Sequence, residues 1–312
     1  MAQVVLGSGP AGTALATELA GRGHEVRLAN RSGEGPALPG VDRVAVDVLD
    51  RDRLAAVTGG ADVVYHCVNV AYHQQVELMP RIQDAILDAA GGRLVVLDTL
   101  YPYGPTGGAV MTEETPWAAT NRKGRMRAEL DANYLEAHRS GRARVSLGRA
   151  ADFFGPGVFN SSLGATAFPA LLAGGEVIGI GDVDRLHSYS FIGDVAAGLA
   201  TLGEHPDADG RVWHLPVAPA VTTRHIHELL AKITGQEPRV RVLTEARPFG
   251  PFDEVFMAEF AELFYQHTED QVVDSRLFEQ TFGVRHTPLE TALETTVGWF
   301  RAALSRACRS PR

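Results

Sequence analysis

Residues 3–32 read QVVLGSGPAGTALATELAGRGHEVRLANRS. A short apolar run leads into Gly7, Gly9 and Gly12, then a helix-period stretch (Ala14, Leu15, Leu19), then a second apolar run, EVRL. Strand, glycine turn, helix and strand in this order leave few folds open. Gly7 allows a tight turn, Gly9 with Pro10 and Ala11 brings backbone close to a pyrophosphate, and Gly12 lets the helix pack on the strand. The expected ligand is a dinucleotide. A glycine-rich turn in an unrelated α/β protein is the competing reading.

The residues ending the second strand choose between coenzymes. A carboxylate there would hold the ribose hydroxyls of NAD. This chain has Asn30, Arg31 and Ser32, a set suited to a 2′-phosphate, so NADP is preferred and NAD is the alternative. RVAVDV (43–48) reads as a third strand, with Asp47 beside Val48 facing the adenine. ADVVYHCVN (61–69) is a fourth, ending at Val68 and Asn69. VELMPRIQDAILDAA (76–90) is a helix and GRLVVLDT (92–99) a fifth strand ending at Thr99. This alternation predicts an α/β fold, a Rossmann-type doubly wound parallel sheet, with ligands at the carboxyl ends of its strands.

The rhythm weakens after residue 151. The expected organisation is a dinucleotide-binding domain over 1–151 and a smaller, mainly substrate-binding lid over 152–312, with helix 191–203 and strand 211–217 rejoining the first. PFDEVFMAEFAELFYQH (251–267) reads as one amphipathic helix rich in Phe and Met.

Several segments in this order resemble the extended and atypical short-chain dehydrogenases/reductases of the NAD-dependent epimerase/dehydratase type. They are VVYHCVN, VVLDTLYPYGP, TEETPWAAT, GRAADFFGPGVFN, HSYSFIGDVAAGL and the closing FGVRHTPLETALETTVGWFR. The resemblance implies an NAD(P)-dependent reductase or epimerase acting on a carbonyl or secondary alcohol of a small molecule, a sugar nucleotide or a secondary metabolite. It places Thr99 at the catalytic Ser/Thr position and puts Asp152 where the family has Asn near the cofactor. Phe154, Asn160, Arg185 and His187 fall beside the substrate. It also permits a homodimer.

The family's Tyr-x-x-x-Lys motif is missing. Counting back eight residues from Glu129 puts its tyrosine at Asn121 and its lysine at Arg125, and residues 104–133 contain no tyrosine. A phenol of pKa about 10 donates a proton to a developing alkoxide, whereas an amide only hydrogen-bonds it. Three readings follow. Tyr101, on the same side of an extended strand as Thr99 and Tyr103, takes over the proton, with Lys123 as its cation and cofactor contact and Asn121 as a polar anchor. Alternatively His187 supplies the proton. In the third, catalysis is lost and the chain is a dinucleotide-binding sensor.

Composition narrows the partners. A net charge of −9 disfavours nucleic acid. No run of apolar residues is long enough for a membrane span, and the amino terminus lacks the basic start of a signal peptide. Two cysteines, Cys67 in an apolar run and Cys308 in a polar tail, provide neither a disulfide framework nor zinc spacing. No metal and a cytoplasmic location are expected.

Overall fold

The computed structural model describes residues 1–250 and 252–307, so Cys308 lies outside the described residues. The chain runs β1 (Ala2–Leu6), α1 (Pro10–Gly21), β2 (Glu25–Asn30), β3 (Val41–Ala45), α2 (Arg51–Thr58), β4 (Val63–His66), α3 (Gln75–Ala89), β5 (Arg93–Asp98), α4 (Arg122–Arg139) and β6 (Arg144–Arg149). It continues with β7 (Asp152–Phe154), α5 (Phe168–Leu172), β8 (Glu176–Ile180), β9 (Leu186–His187), β10 (Tyr189–Phe191), α6 (Ile192–Glu204) and β11 (Val212–His214). Last come β12 (Val221–Thr222), α7 (Thr223–Thr234), β13 (Arg239–Leu243), α8 (Glu254–Phe260), α9 (Arg276–Phe282) and α10 (Leu289–Ala307).

Seven strands form one parallel sheet in the order β11-β6-β5-β4-β1-β2-β3. The order reverses between β1 and β4, the crevice where doubly wound sheets bind ligands. Both faces of the central strands are covered, which is why β1, β4 and β5 are buried at nearly every position rather than at alternate ones. Val4, Leu6, Val64, Leu94 and Val96 pack against α3 and α4 through Ile82, Ile86 and Leu130. Val5, Val63, Tyr65 and Val95 face α1 and α6 through Leu15, Leu19 and Leu199. Burial also pushes the Cys67 thiol up to about 12, leaving an inert small hydrophobe.

Segments beyond β6 both join the sheet and extend past it. β11 adds to β6, and α6 packs on the α1 face. Outside the sheet, β8 pairs with β13, β7 with β10 and β9 with β12. A separate core of Phe154, Phe168, Ile226, Leu293 and Phe300 ties α5, α7 and α10 together.

Three local expectations differ. The third strand starts and ends earlier than 43–48, so Asp47 stands beyond its end. The fifth strand stops at Asp98, and residues 101–103 turn into a 3-10 helix, so Tyr101 and Tyr103 do not share an extended face. Pro102 within that turn, lacking an N–H for a strand ladder, suits the change. The Phe/Met-rich stretch is not one helix: α8 gives way to a 3-10 segment over Ala261–His267.

Candidate active site

The glycine turn has the geometry its spacing requires. Gly7 has φ of +100°, and a Cβ there would stand 2.7 Å from the Cys67 carbonyl oxygen. A Cβ on Gly12 would come within 1.8 Å of the Gly7 oxygen, whereas one on Gly9 would meet nothing within 4 Å. Gly7 and Gly12 thus close the turn, and Gly9 faces open space. Gly9 is also the N-cap of α1 and supplies no side-chain acceptor, so the first amides of that helix remain available. Asn30 ties the end of β2 to this turn. Its Nδ2 donates to Ser8 Oγ (2.5 Å) and to the Glu34 carbonyl (2.6 Å), and its Oδ1 accepts from the Gly33 amide. Arg31 and Ser32 are exposed beside it. Asp47, also exposed, accepts the Leu49 amide through Oδ1.

At the carboxyl ends of β4, β5 and β6 the chain opens into a cavity. Its lining includes Asn69, Thr99, Tyr101, Asp152, Asn160 and His187. Phe153, also in the lining, packs against Ala11 of α1, placing the cavity next to the glycine turn. These six residues, singled out in the sequence, thus lie together around one cavity. Two other substrate candidates from the sequence lie elsewhere. Phe154 is buried and stacked on Phe168 with 6.5 Å between centroids, a core role set by strand alternation. Arg185 is exposed and 3.4 Å from Asp182.

The motif region also needs correction. Asn121 is the N-cap of α4, its Oδ1 accepting the Gly124 amide at 2.6 Å, and it does not line the cavity. Lys123 is fully buried, and its ammonium is held between Glu259 and Glu262, the latter at 2.6 Å. It also donates to the Glu259 carbonyl at 3.1 Å. Its charge is thus spent joining α4 to the segment that walls the cavity. Tyr103 is a core residue: its hydroxyl lies 2.6 Å from His214 Nε2.

Glu129 is exposed, whereas Asp131 is buried against Arg149. Counted from this buried carboxylate, the tyrosine and lysine places fall at Lys123 and Arg127, two residues beyond Asn121 and Arg125. Arg127 is the buried cation nearest the end of β4. Its guanidinium donates to Asn69 Oδ1 at 3.3 Å, and its Nε has no partner. Gly124 fits this register as well, since a Cβ there would strike the Tyr101 carbonyl oxygen at 2.7 Å.

Around Thr99 the structure adds residues that the sequence did not mark. Tyr72 follows β4, and its hydroxyl lies 3.2 Å from that of Tyr101. Burial raises both phenols, and Tyr72 raises Tyr101 further, so Tyr101 holds its proton well above the usual range. A tyrosine six residues after a strand end was the available signal. Across the cavity, Asp152 Oδ2 accepts from Ser162 Oγ (3.0 Å) and lies 3.2 Å from His187 Nε2 and 3.8 Å from His267 Nε2. Burial opposes ionisation of Asp152, but the hydrogen bond from His187 and the neighbouring imidazoles outweigh it, holding the carboxyl below the usual range. Burial pushes His267 down to about 4, so that ring is neutral at pH 7. These three side chains bring ligand atoms within 4.8 Å of one another. The imidazole planes are within 5° of parallel at a centroid distance of 5.1 Å, and both Nε2 atoms lie beside the same carboxylate oxygen.

Fold and cavity together define a dinucleotide-type, doubly wound α/β architecture. A family model for the NAD dependent epimerase/dehydratase family matches residues 4–215, and the chain belongs to that family. No curated protein matches the sequence. Among solved structures, MoeE5 in complex with UDP-glucose and NAD is 21% identical with a TM-score of 0.78, covering 97% of this chain and 100% of its own. UDP-glucose 4-epimerase of Thermotoga maritima with UDP-glucose is 18% identical, with a TM-score of 0.79 and coverage of 97% and 100%. A dTDP-glucose 4,6-dehydratase of Streptomyces venezuelae with NAD is 19% identical, with a TM-score of 0.77 and coverage of 98% of both chains. At these identities the likeness is one of fold. Among the described residues no helix is long and apolar enough to cross a membrane.

Proposed function

We propose that the chain is an NAD(P)-dependent reductase acting on a carbonyl of a small molecule. The observation that carries this reading is the convergence of Thr99 and the protonated Tyr101 in one cavity beside the glycine turn. The residues fit a nicotinamide dinucleotide: the space above Gly9 would accept its pyrophosphate, and Asn30 and Asp47 lie on the side of its adenosine. Bound there, the cofactor supplies a hydride. Thr99 Oγ1 orients the substrate oxygen, and Tyr101 Oη donates the proton that oxygen needs as charge develops. Tyr72 Oη, within hydrogen-bond reach, orients the Tyr101 hydroxyl, and solvent entering after product leaves returns the proton to Tyr101.

Tyr101→Phe is expected to lower kcat for carbonyl reduction about 100-fold or more, with little change in coenzyme binding. His187→Gln should cost less. Equal losses in the two variants, followed as NADPH oxidation, would transfer the proton to the Asp152–His187 pair. Coenzyme binding without turnover of any carbonyl would instead favour the sensor reading.

Arg31 supports a preference for NADP. It is exposed just after β2 and makes no ion pair with the described residues. Replacing it with Glu is expected to weaken NADP by about tenfold to a hundredfold while NAD changes little, as read by calorimetric titration of both coenzymes. Equal affinities before and after the change would remove Arg31 from coenzyme selection.

A further inference from the structure

The substrate cavity is unusual in its charge. Among the described residues that line it there is no lysine and no arginine, and its ionised side chain is a carboxylate, Asp152. Of the arginines of the surrounding segments, Arg185 pairs with Asp182, Arg224 with Asp184 at 2.5 Å and Arg247 with Glu245 at 2.7 Å, while Arg127, which does not line the cavity, donates to Asn69. Lys123 is neutralised by its two glutamates. The helix bordering the cavity, α8, offers no compensating N-terminus. Asp253 caps it, accepting the Phe256 amide at 2.7 Å, and Glu254 occupies its first turn. A diphosphate brought here would lose water without gaining a cation and would meet Asp152.

The wall above Tyr101 has the opposite character. Tyr72 stacks on Phe256 at 5.2 Å and 14°, and Phe256 lies near-parallel to Phe252 (5.2 Å, 22°) and Phe260 (5.8 Å, 18°). Four aromatic rings in nearly the same orientation line the cavity with apolar surface. The same lining includes Asp152, Asn160, Gln266 and Gln271, hydrogen-bond partners for hydroxyl groups.

We propose that this chain takes an uncharged aromatic ketone or the corresponding alcohol, and not a nucleoside diphosphate sugar. The inference rests on the redox reading of the same cavity. The aromatic plate of the substrate lies along Phe256 and Tyr72, its carbonyl oxygen reaches Thr99 and Tyr101, and its further hydroxyls meet the Asp152 side.

The test is calorimetric titration of the NADP⁺-loaded protein with α-tetralone, its 5-hydroxy derivative and UDP-glucose. The expected result is binding of both tetralones, tighter for the hydroxylated one, and no heat from UDP-glucose. Phe256→Ala should weaken the tetralones about tenfold. Phe256→Leu, which keeps apolar bulk and serves if the alanine variant misfolds, should weaken them in the same direction by less. UDP-glucose binding as tightly as the tetralones, neither tetralone binding, or tetralone affinity unchanged in both Phe256 variants would each overturn the proposal. The two readings fail separately. Tetralone binding that depends on Phe256 without NADPH-driven reduction sinks the redox reading and leaves the substrate class standing. Turnover of UDP-glucose does the reverse.

Discussion

Replacing Arg149 with alanine is expected to destabilise the protein by about 3–5 kcal/mol, seen as a large fall in the urea midpoint with little change in slope. Arg149 is fully buried at the end of β6. Its Nε donates to Asp98 at 2.6 Å and its Nη2 to Asp131 at 2.5 Å, while its plane lies 4.5 Å from the Tyr103 ring and 5.0 Å from that of Trp117. One cation thus joins β5, α4 and β6 directly beneath the cavity. Removing it leaves two carboxylates buried without a partner. Lysine should not rescue it, because an ammonium cannot fork between two acids from within the same aromatic stack. Asp131→Asn should cost less: burial and the nearby Asp98 already push that carboxyl well up towards its neutral form. A midpoint unchanged in Arg149→Ala would show that the network contributes nothing net.

The second large effect is expected from acid. Burial pushes His214, His227 and His267 down to about 4 and His66 to about 3. Each is neutral in the folded chain and takes up a proton near pH 6.5 once unfolded. The unfolded state therefore binds more protons between pH 6.5 and about 4, and stability rises with pH across that window. Each histidine contributes about 1.4 kcal/mol per pH unit there, and several acting together should unfold the protein well above pH 4. Glu113, Asp131 and Asp194 work in the opposite sense, since burial raises all three carboxyls, and their stabilisation is present at low pH and lost as pH rises through their folded values. They offset part of the slope. Urea midpoints from pH 7 to 5 measure the sum; a flat or rising midpoint on acidification would contradict it. His227→Gln should flatten the curve without touching the cavity.

How much of this was legible beforehand depends on the range of the forces involved. The glycine turn, the alternation of strands and helices, and the strand ends at Asn69 and Thr99 came from local pattern, whereas Asp152 and His187 came from the family resemblance. Turn geometry and strand periodicity act over a few residues, so the sequence carries them openly. The register of α4 did not. Whether Glu129 or Asp131 is the inward carboxylate is a question of which helix face meets Arg149, eighteen residues away or more, and counting along the chain cannot decide it.

Lys123 shows the same boundary most clearly. As one of two lysines in a segment dense in arginine, it stood out as a cation for catalysis. Its partners, Glu259 and Glu262, lie more than 130 residues further on. Only the folded chain brings them together, and their proximity turns a candidate catalytic group into a buried strut. From its amino-acid order alone this protein had to build a parallel sheet with a dinucleotide-type turn, because steric and periodic constraints are local. The charge of the cavity, its aromatic wall and the fate of each buried cation were decided by tertiary packing, because electrostatic pairing and desolvation depend on distance in space and not on separation along the chain.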